Sequence, residues 1–185
     1  INTYRDEVVK RVYTEYQKRL IASNAVDFDD ILVYTTQLME TNPTVREKYA
    51  QRFRHVLVDE FQDTNLAQYA LVKHLASYHH NIFCVGDPDQ SIYAWRGADY
   101  RNIKKFEQDF PTAQVILLEQ NYRSHQNILD VAMGVIDRAR NRRKKRLFSD
   151  RGAGEKIFFY EARDDYGEAS FVVDTIAQLV ASGEF

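Results

Sequence analysis

Two adjacent carboxylates, Asp59 and Glu60, stand directly after the apolar run 55–58. The run predicts a buried strand, and ligands of open α/β sheets bind outside the carboxyl ends of the strands. One carboxylate there could hold Mg²⁺ while the other orients and deprotonates an attacking water, as nucleoside triphosphate hydrolysis requires. The same residue types also allow a plainer interpretation, an acidic turn in which Asp63 or Thr64 caps the next helix.

A second polar string, residues 86–98, begins at the end of the apolar run 82–86. Gly86 and Pro88 predict a tight turn there. Gln90 could then reach a phosphate oxygen or the attacking water, as glutamines do in nucleotide switches. Like the first string, this one follows a predicted strand.

The second string also contains Trp95, the only tryptophan of the chain, with Arg96 beside it and Tyr93 two positions before it. An indole face can stack on any nucleobase and an arginine can bind a phosphate, so the pair suits single-stranded nucleic acid. The alternative is that Tyr93 and Trp95 are simply core residues.

A third string, residues 118–124, again lies where a predicted strand ends and a helix begins. Arg123 could neutralise charge on a transferring phosphoryl group, and Tyr122 could stack on a purine. The alternative is a surface arginine, with Ser124 as a helix cap. We expect the three strand ends to converge on one triphosphate.

The elements that must position these strings follow from periodicity and from cap residues. Apolar residues spaced three to four apart predict a helix over 3–22. Asp27 and Asp30 predict a capping box for a second helix that ends near residue 41, and Pro43, capped by Asn42, predicts the start of a third. The second helix is expected to bury one stripe, formed by Phe28, Ile31, Leu32, Thr35, Leu38 and Met39.

After about residue 50, short apolar runs alternate with helical segments, which predicts an α/β fold of parallel βαβ units. Because the runs are apolar throughout, both faces of the sheet are expected to be covered. The basic run 138–146 and the glycines at 152–154 predict a linker to a second domain, although the run could also contact a DNA backbone. Strands are predicted at 55–59, 82–86, 114–118 and 157–161, and helices at 65–77, 99–109 and 125–139.

The composition limits the classes of function. A net charge of −2 over 185 residues predicts no global attraction to nucleic acid, so any such binding must be local. The single cysteine excludes an internal disulfide, and no apolar stretch approaches membrane-spanning length, so we expect a cytoplasmic protein. The chain starts without Met and without a signal-peptide pattern, which we interpret as the middle of a longer polypeptide.

The three strings, in this order, resemble the motifs of the UvrD/Rep/PcrA-type superfamily 1 ATP-dependent DNA helicases. The segment Asp-Phe-Asp-Asp at 27–30 also resembles part of their helical insertion. The resemblance implies a partial RecA-like, P-loop NTPase-like parallel sheet with flanking helices and an N-terminal helical subdomain. The implied domains are an inserted helical subdomain at 1–50, part of the first motor domain at 51–150 without its phosphate-loop strand, and the start of the second motor domain at 151–185.

The resemblance also implies roles for individual residues in the parent helicase. Asp59 resembles the magnesium-associated acid and Glu60 the general base, both at the Mg²⁺ site, and Gln90 resembles the γ-phosphate sensor. Tyr122 resembles the residue that stacks on adenine, and Arg123 resembles an arginine finger. The implied cofactors are therefore ATP and Mg²⁺.

A DNA-binding set is implied in the same way. Trp95 resembles the base-stacking residue of the DNA track, and Arg96 and Tyr93 belong to the same set. The implied partners are single-stranded DNA and junctions between single-stranded and double-stranded DNA, with no membrane. The implied process is translocation and duplex unwinding in DNA repair or replication.

One part of the family's machinery is missing from this sequence, because no glycine belongs to a G-x-x-x-x-G-K-[ST] phosphate loop. We therefore expect this chain alone to bind ATP weakly or not at all, not to unwind DNA, and to self-associate through an exposed sheet edge. Two other classes stay open: a non-catalytic DNA- or partner-binding module that retains the helicase fold, and a metal-dependent nuclease that uses Asp59, Glu60 and Asp87.

Overall fold

The computed structural model describes residues 3–139 and 143–183 of the chain. The chain divides into two compact units, Ile1–Val115 and Ile116–Phe185. Among the helices of the described ranges, none combines the length and the apolar character that a membrane span needs. The middle of the basic run, residues 140–142, lies outside the described residues, and the domain boundaries at 50 and 150 stay predictions.

Three helices open the first unit, and each begins at a cap residue that satisfies N–H groups of its first turn. The caps are Thr3, Asp27 and Asn42, and Asp27 forms a reciprocal capping box with Asp30. Pro43 occupies the first position of the third helix, where its missing N–H costs nothing. These contacts confirm the predicted helix starts. The helices are α1 (Tyr4–Ala22), α2 (Phe28–Thr41) and α3 (Pro43–Arg52).

The buried stripe predicted for α2 is largely wrong, because the neighbours of the helix select a different face. Thr36 is buried against α4 (Leu66–Ala76), where its Oγ1 lies 3.4 Å from the carbonyl oxygen of Ala67. Asp30 is buried beside α1 and accepts a hydrogen bond from Gln17 Nε2 at 3.2 Å. Of the six predicted residues, Met39 is buried, Leu32 and Thr35 are half-buried, and Phe28, Ile31 and Leu38 are exposed.

The sheet of the first unit consists of two parallel strands, β1 (Val56–Val58) and β2 (Ile82–Cys84), connected through α4. Leu57 pairs with Phe83, and their side chains are 73% and 59% exposed, so the expectation that both faces are covered is wrong for these strands. The flanking strand residues are half-buried, and burial raises the pKa of the Cys84 thiol to about 11. The unit is therefore mixed α/β, and the RecA-like fold stays a prediction.

An aromatic cluster fixes the backbone that follows the two carboxylates. The buried ring of Phe61 makes edge-on contacts with Tyr69 and with Phe106 of α5 (Arg101–Asp109), at centroid distances of 5.8 and 5.6 Å. The hydroxyl of Tyr69 donates a hydrogen bond to Asp109 Oδ2 at 2.6 Å. These contacts join α4 and α5 around the end of β1.

The second unit contains two helices in its described residues, α6 (Gln126–Ile136) and α7 (Asp165–Ser182). The first of them confirms the helix predicted at 125–139. The second is absent from the predicted elements, although both of its end signals are present in the sequence. Asp164 caps its start, and Gly183 adopts a left-handed conformation with φ of 76° at its end.

The strands predicted at 114–118 and 157–161 do not form, although both segments lie in the described part of the chain. Backbone pairing in the described residues of the second unit is limited to one parallel bridge, between Gln120 and Phe148. An apolar run becomes a strand only when a neighbouring strand completes its backbone hydrogen bonds. Without one, apolar side chains such as that of Phe158 remain exposed.

The Tyr69–Asp109 contact predicts a pH-dependent contribution to stability. The Tyr69 hydroxyl and then the Lys73 ammonium, 2.9 Å from the same oxygen, hold the pKa of Asp109 below its usual value. A depressed carboxyl pKa stabilises the fold above the unfolded-state pKa, and this contribution is lost as the pH falls through the folded-state pKa. We expect Tyr69→Phe to lower the free energy of unfolding by about 1 kcal/mol at neutral pH, because the carboxylate is partly solvated.

Urea unfolding at neutral pH and at a pH below the usual aspartate range measures this effect. The loss should shrink in acid, and Tyr4→Phe, at an exposed tyrosine of α1, should change neither curve. An equal loss at both pH values would contradict the assignment to Asp109.

Candidate functional site

The ends of β1 and β2 lie side by side and bring two of the polar strings together. The N–H of Val85 donates to the carbonyl oxygen of Val58 at 2.8 Å, and the N–H of Phe61 donates back to the carbonyl oxygen of Val85 at 2.9 Å. These bonds extend the parallel pairing beyond both strands. They place Asp59 and Glu60 beside the turn that follows β2.

Glu60 has an unusual backbone conformation, with φ of 49° and ψ of 43° in the left-handed region. Non-glycine residues seldom adopt this conformation, and such strained residues cluster at functional sites. The Asp59 carboxylate supports it, because its Oδ1 accepts the N–H of Glu60 at 2.9 Å. The chain then enters a short 3-10 turn, Phe61–Asp63, so the carboxylates lie at a sharp change of direction.

Gln62 connects this turn to the next polar string. Its side chain is 1% exposed, and its Nε2 donates to Glu60 Oε2 at 2.8 Å and to Asp63 Oδ2 at 3.3 Å. Its Oε1 accepts the backbone N–H of Asp87 at 2.9 Å. No role was predicted for Gln62 from the sequence. The position of Gln62 two residues after Glu60 is the only sequence feature that could have indicated its contact with that carboxylate. Its contact with Asp87, 25 positions away, cannot be recognised from the sequence.

The alternative in which Asp63 or Thr64 caps the next helix is wrong. The cap of α4 is Asn65, whose Oδ1 accepts the N–H of Gln68 at 2.9 Å, and the Gln68 side chain accepts the N–H of Asn65 in return. The carboxylates of the first string are therefore not used to begin this helix.

Gln90 lies at the end of a second 3-10 turn, Pro88–Gln90, which begins four residues after the end of β2. Its Nε2 donates to Asp87 Oδ2 at 2.9 Å. Since the N–H of Asp87 donates to Gln62, the side chains of Glu60 and Gln90 belong to one continuous hydrogen-bond network. The structure thus brings together these two residues, which the sequence placed at one site.

The carboxylates of Asp59 and Glu60 are both exposed at this edge of the sheet. Mg²⁺ usually keeps several waters and is held by one or two carboxylates together with substrate phosphates. The donor set at the end of β1 fits such a site, although the described residues contain no group of three or more His, Cys, Asp or Glu side chains suited to a metal ion. The assignment of both residues to Mg²⁺ stays a prediction.

The segment that carries Trp95 projects a flat apolar surface into solvent. Trp95 is 74% exposed, so the alternative that it is a core residue is wrong. The guanidinium carbon of Arg96 lies 4.9 Å from the centroid of the Trp95 ring system and 5.8 Å from the Tyr93 ring centroid. This cation–π arrangement holds an aromatic face and a positive charge next to each other.

Both ends of the tryptophan segment are attached to the string that contains Gln62. Ser91 Oγ donates to the carbonyl oxygen of Gln62 at 3.4 Å, and the N–H of Asp99 donates to the carbonyl oxygen of Thr64 at 3.0 Å. Asn102, which is fully buried, also donates from Nδ2 to the Thr64 carbonyl oxygen, at 2.9 Å. The exposed segment is thereby fixed at both ends to the backbone beside the carboxylates.

Tyr122 and Arg123 lie in the second unit. The Tyr122 side chain is 77% exposed, and its hydroxyl donates to Gln120 Oε1 at 2.8 Å. Asn121 Oδ1 accepts the backbone N–H groups of Arg123 and Ser124, at 3.0 and 2.7 Å, and leaves the arginine side chain exposed. The N-cap position of α6 is held by the residue after Ser124, so the alternative of a Ser124 cap is wrong. That Tyr122 and Arg123 share a nucleotide site with Glu60 stays a prediction.

Comparison with known proteins gives the class to which these features belong. The family described as the UvrD/REP helicase N-terminal domain matches residues 1–111, and the UvrD-like helicase C-terminal domain matches residues 116–185. The chain therefore belongs to the UvrD/Rep helicase family.

Individual relatives are similar along almost the whole chain. It is 49% identical over 181 residues to the ATP-dependent DNA helicase PcrA of Bacillus subtilis, and the match covers 98% of this chain and 24% of the relative. It is 51% identical over 183 residues to the ATP-dependent DNA helicase UvrD1 of Mycobacterium tuberculosis, with 95% and 24% covered. DNA helicase II of Rickettsia typhi is 48% identical over 173 residues, with 94% and 26% covered. The chain thus spans about a quarter of the length of these curated relatives.

Close packing of Gln62 against Gly86 predicts the effect of adding one methyl group. A Cβ at Gly86 would lie 2.6 Å from Gln62 Oε1 and 3.1 Å from the backbone nitrogen of Phe61. We expect Gly86→Ala to lower the free energy of unfolding by about 1–3 kcal/mol, because the amide must move away from its Asp87 partner.

Urea unfolding is the measurement, and Gly134→Ala is the matched control. Gly134 lies inside α6, and apart from its chain neighbours and the backbone of its own helix no described atom is within 4 Å of an added Cβ, so this change should stabilise by roughly 0.5–1 kcal/mol. If Gly86→Ala were as well tolerated as the control, the close approach would be contradicted.

Proposed function

We propose that this chain is part of a longer ATP-dependent DNA helicase that couples ATP hydrolysis to movement along single-stranded DNA. The observation that carries the proposal is the network from Glu60 through Gln62 and Asp87 to Gln90, at the ends of two parallel strands. It occurs in a chain of the UvrD/Rep family whose relatives are named ATP-dependent DNA helicases.

In the proposed reaction, each residue of the network has a separate task. Glu60 accepts the proton of the attacking water, and Asp59 would bind the Mg²⁺ ion. Gln90 orients the attacking water or the terminal phosphate through its amide. A bound Mg²⁺ would supply charge stabilisation to the β- and γ-phosphate oxygens. The motor domain that presents these residues is proposed to be RecA-like.

Roles in nucleotide binding are also proposed for two residues of the second unit. Tyr122 presents an exposed aromatic ring suited to stacking on adenine, and Arg123 presents an exposed guanidinium suited to the charge of the transferring phosphoryl group. The Tyr122 hydroxyl donates a hydrogen bond to Gln120, and the backbone N–H of Arg123 donates one to Asn121. Neither bond uses the face of the tyrosine ring or the guanidinium group.

DNA binding is proposed for the exposed segment around Trp95. Its indole face can stack on a base of any identity, and Arg96 beside it can pair with a phosphate. Tyr93 extends the same aromatic surface. The proposed partners are single-stranded DNA and single-strand/double-strand junctions, in DNA repair or replication within the cytoplasm.

The alternative that we propose is a non-catalytic module that retains the helicase fold and binds DNA or a protein partner. The 185 residues of this chain contain no G-x-x-x-x-G-K-[ST] string. For the 185-residue chain alone we propose weak ATP binding and no unwinding. Self-association through an exposed sheet edge stays a prediction.

Glu60→Gln in the full-length protein that carries this sequence tests the catalytic proposal. The substitution removes the base but keeps the side-chain size and an oxygen that can accept from Gln62. We expect DNA-stimulated ATP turnover to fall roughly 10²- to 10⁴-fold, while the Kd for nucleotide is retained. Glu47→Gln, at an exposed glutamate of α3, is the matched control and should leave turnover unchanged. Normal turnover of Glu60→Gln would remove Glu60 from the mechanism.

Trp95→Ala in the same protein tests the DNA-binding proposal. Loss of one base stack should cost about 1–3 kcal/mol, or roughly 5- to 150-fold in Kd for single-stranded DNA, and Trp95→Phe should retain most of the affinity. Phe28→Ala removes another exposed aromatic side chain, that of Phe28 in α2, and should have no effect. Unaltered DNA affinity of Trp95→Ala would contradict stacking, whereas weakened DNA binding by Trp95→Ala in a full-length protein that hydrolyses no ATP even without substitution would favour the non-catalytic module.

A further inference from the structure

We propose that Gln62 is a positioning residue for ATP hydrolysis, which holds the Glu60 carboxylate and ties it to the turn that carries Gln90. This inference rests on the proposed function and adds a residue to it. Gln62 lies two positions after Glu60 in the 3-10 turn that follows β1, and its side chain points into the protein between the two strand ends.

The amide of Gln62 can take only one orientation. Its two N–H groups face the carboxylates of Glu60 and Asp63, which can only accept when ionised, and its oxygen faces the backbone N–H of Asp87. Both N–H groups of the amide and its oxygen therefore have a hydrogen-bond partner. A buried side chain of this kind cannot turn away without leaving a polar group unsatisfied, which costs about 1–3 kcal/mol.

Glu60 needs such support because its own side chain is exposed and rotatable. A free glutamate would lose rotamer entropy each time it adopted the reactive geometry. The bond from Gln62 Nε2 to Oε2 holds one carboxylate oxygen, so the carboxylate can present its other oxygen to a water. Catalysis gains when such an alignment exists before the reaction.

The same amide fixes the second strand end. Gly86 approaches so closely that an added Cβ would lie 2.6 Å from Gln62 Oε1, and the next N–H, that of Asp87, donates to this oxygen. Asp87 in turn accepts from the Gln90 side chain. A displacement of the turn Pro88–Gln90 is thus transmitted to Glu60 through one buried side chain.

Two substitutions separate the functions of the amide. Gln62→Met has a similar size but removes both the donor and the acceptor. Gln62→Glu keeps an oxygen that can accept the N–H of Asp87, but it loses the donor to Glu60 and faces two carboxylates. If Gln62→Met fails to fold, Gln62→Glu still tests the donor, which is the half on which the proposal depends.

The experiment measures DNA-stimulated ATP hydrolysis, nucleotide Kd and urea unfolding for the full-length protein. Both Gln62 variants should lower kcat about 10- to 100-fold, as a small misplacement of a catalytic group does, with nucleotide Kd retained. Gln68→Met is the matched control, because it removes the capping partner of Asn65 in the same region. It should lower stability without lowering kcat.

A double-mutant cycle with Glu60→Gln distinguishes positioning from a purely structural role. If Gln62 acts through Glu60, its substitution should change single-turnover hydrolysis little once the base is already absent. Equal reductions in both backgrounds, or a normal kcat for Gln62→Glu, would overturn the inference. Normal turnover of Glu60→Gln alone would instead refute the proposed function, so the two failures are distinguishable.

Discussion

The parallel hydrogen bonds between the ends of β1 and β2 are the constraint on which the candidate site depends. These hydrogen bonds continue past the strands through Val58, Phe61 and Val85, so the two segments that follow β1 and β2 remain side by side. Burial of the Phe61 ring then prevents the first chain from moving away. With the backbone held in this way, Glu60 occupies a left-handed conformation that it would otherwise avoid.

Elements that depend on interactions between residues close in sequence could be predicted, because the residues that determine them are all local. The starts of the first three helices follow from Thr3, Asp27 and Asn42, which bond to N–H groups a few residues away. The same holds for β1 and β2, whose short apolar runs lie on either side of a helix. The polar strings that follow them could be recognised for the same reason, and Glu60 and Gln90 do meet in one network.

Structure that depends on distant partners could not be predicted in this way. The buried face of α2 is selected by contacts of Asp30 and Thr36 with other helices, not by its apolar periodicity. The runs at 114–118 and 157–161 have the composition of strands, but among the described residues no neighbour pairs with them. Gln62 is the clearest case, since half of its role comes from an N–H that is 25 positions away.

The exposure of Trp95 has a practical consequence. Because it is the only tryptophan among the 185 residues and its indole is largely solvated, its intrinsic emission comes from the point at which a base is proposed to stack. Stacking quenches indole fluorescence, so the unlabelled protein carries its own optical reporter. Because Arg96 already lies over the indole ring, the fluorescence of the DNA-free protein already includes the effect of this contact.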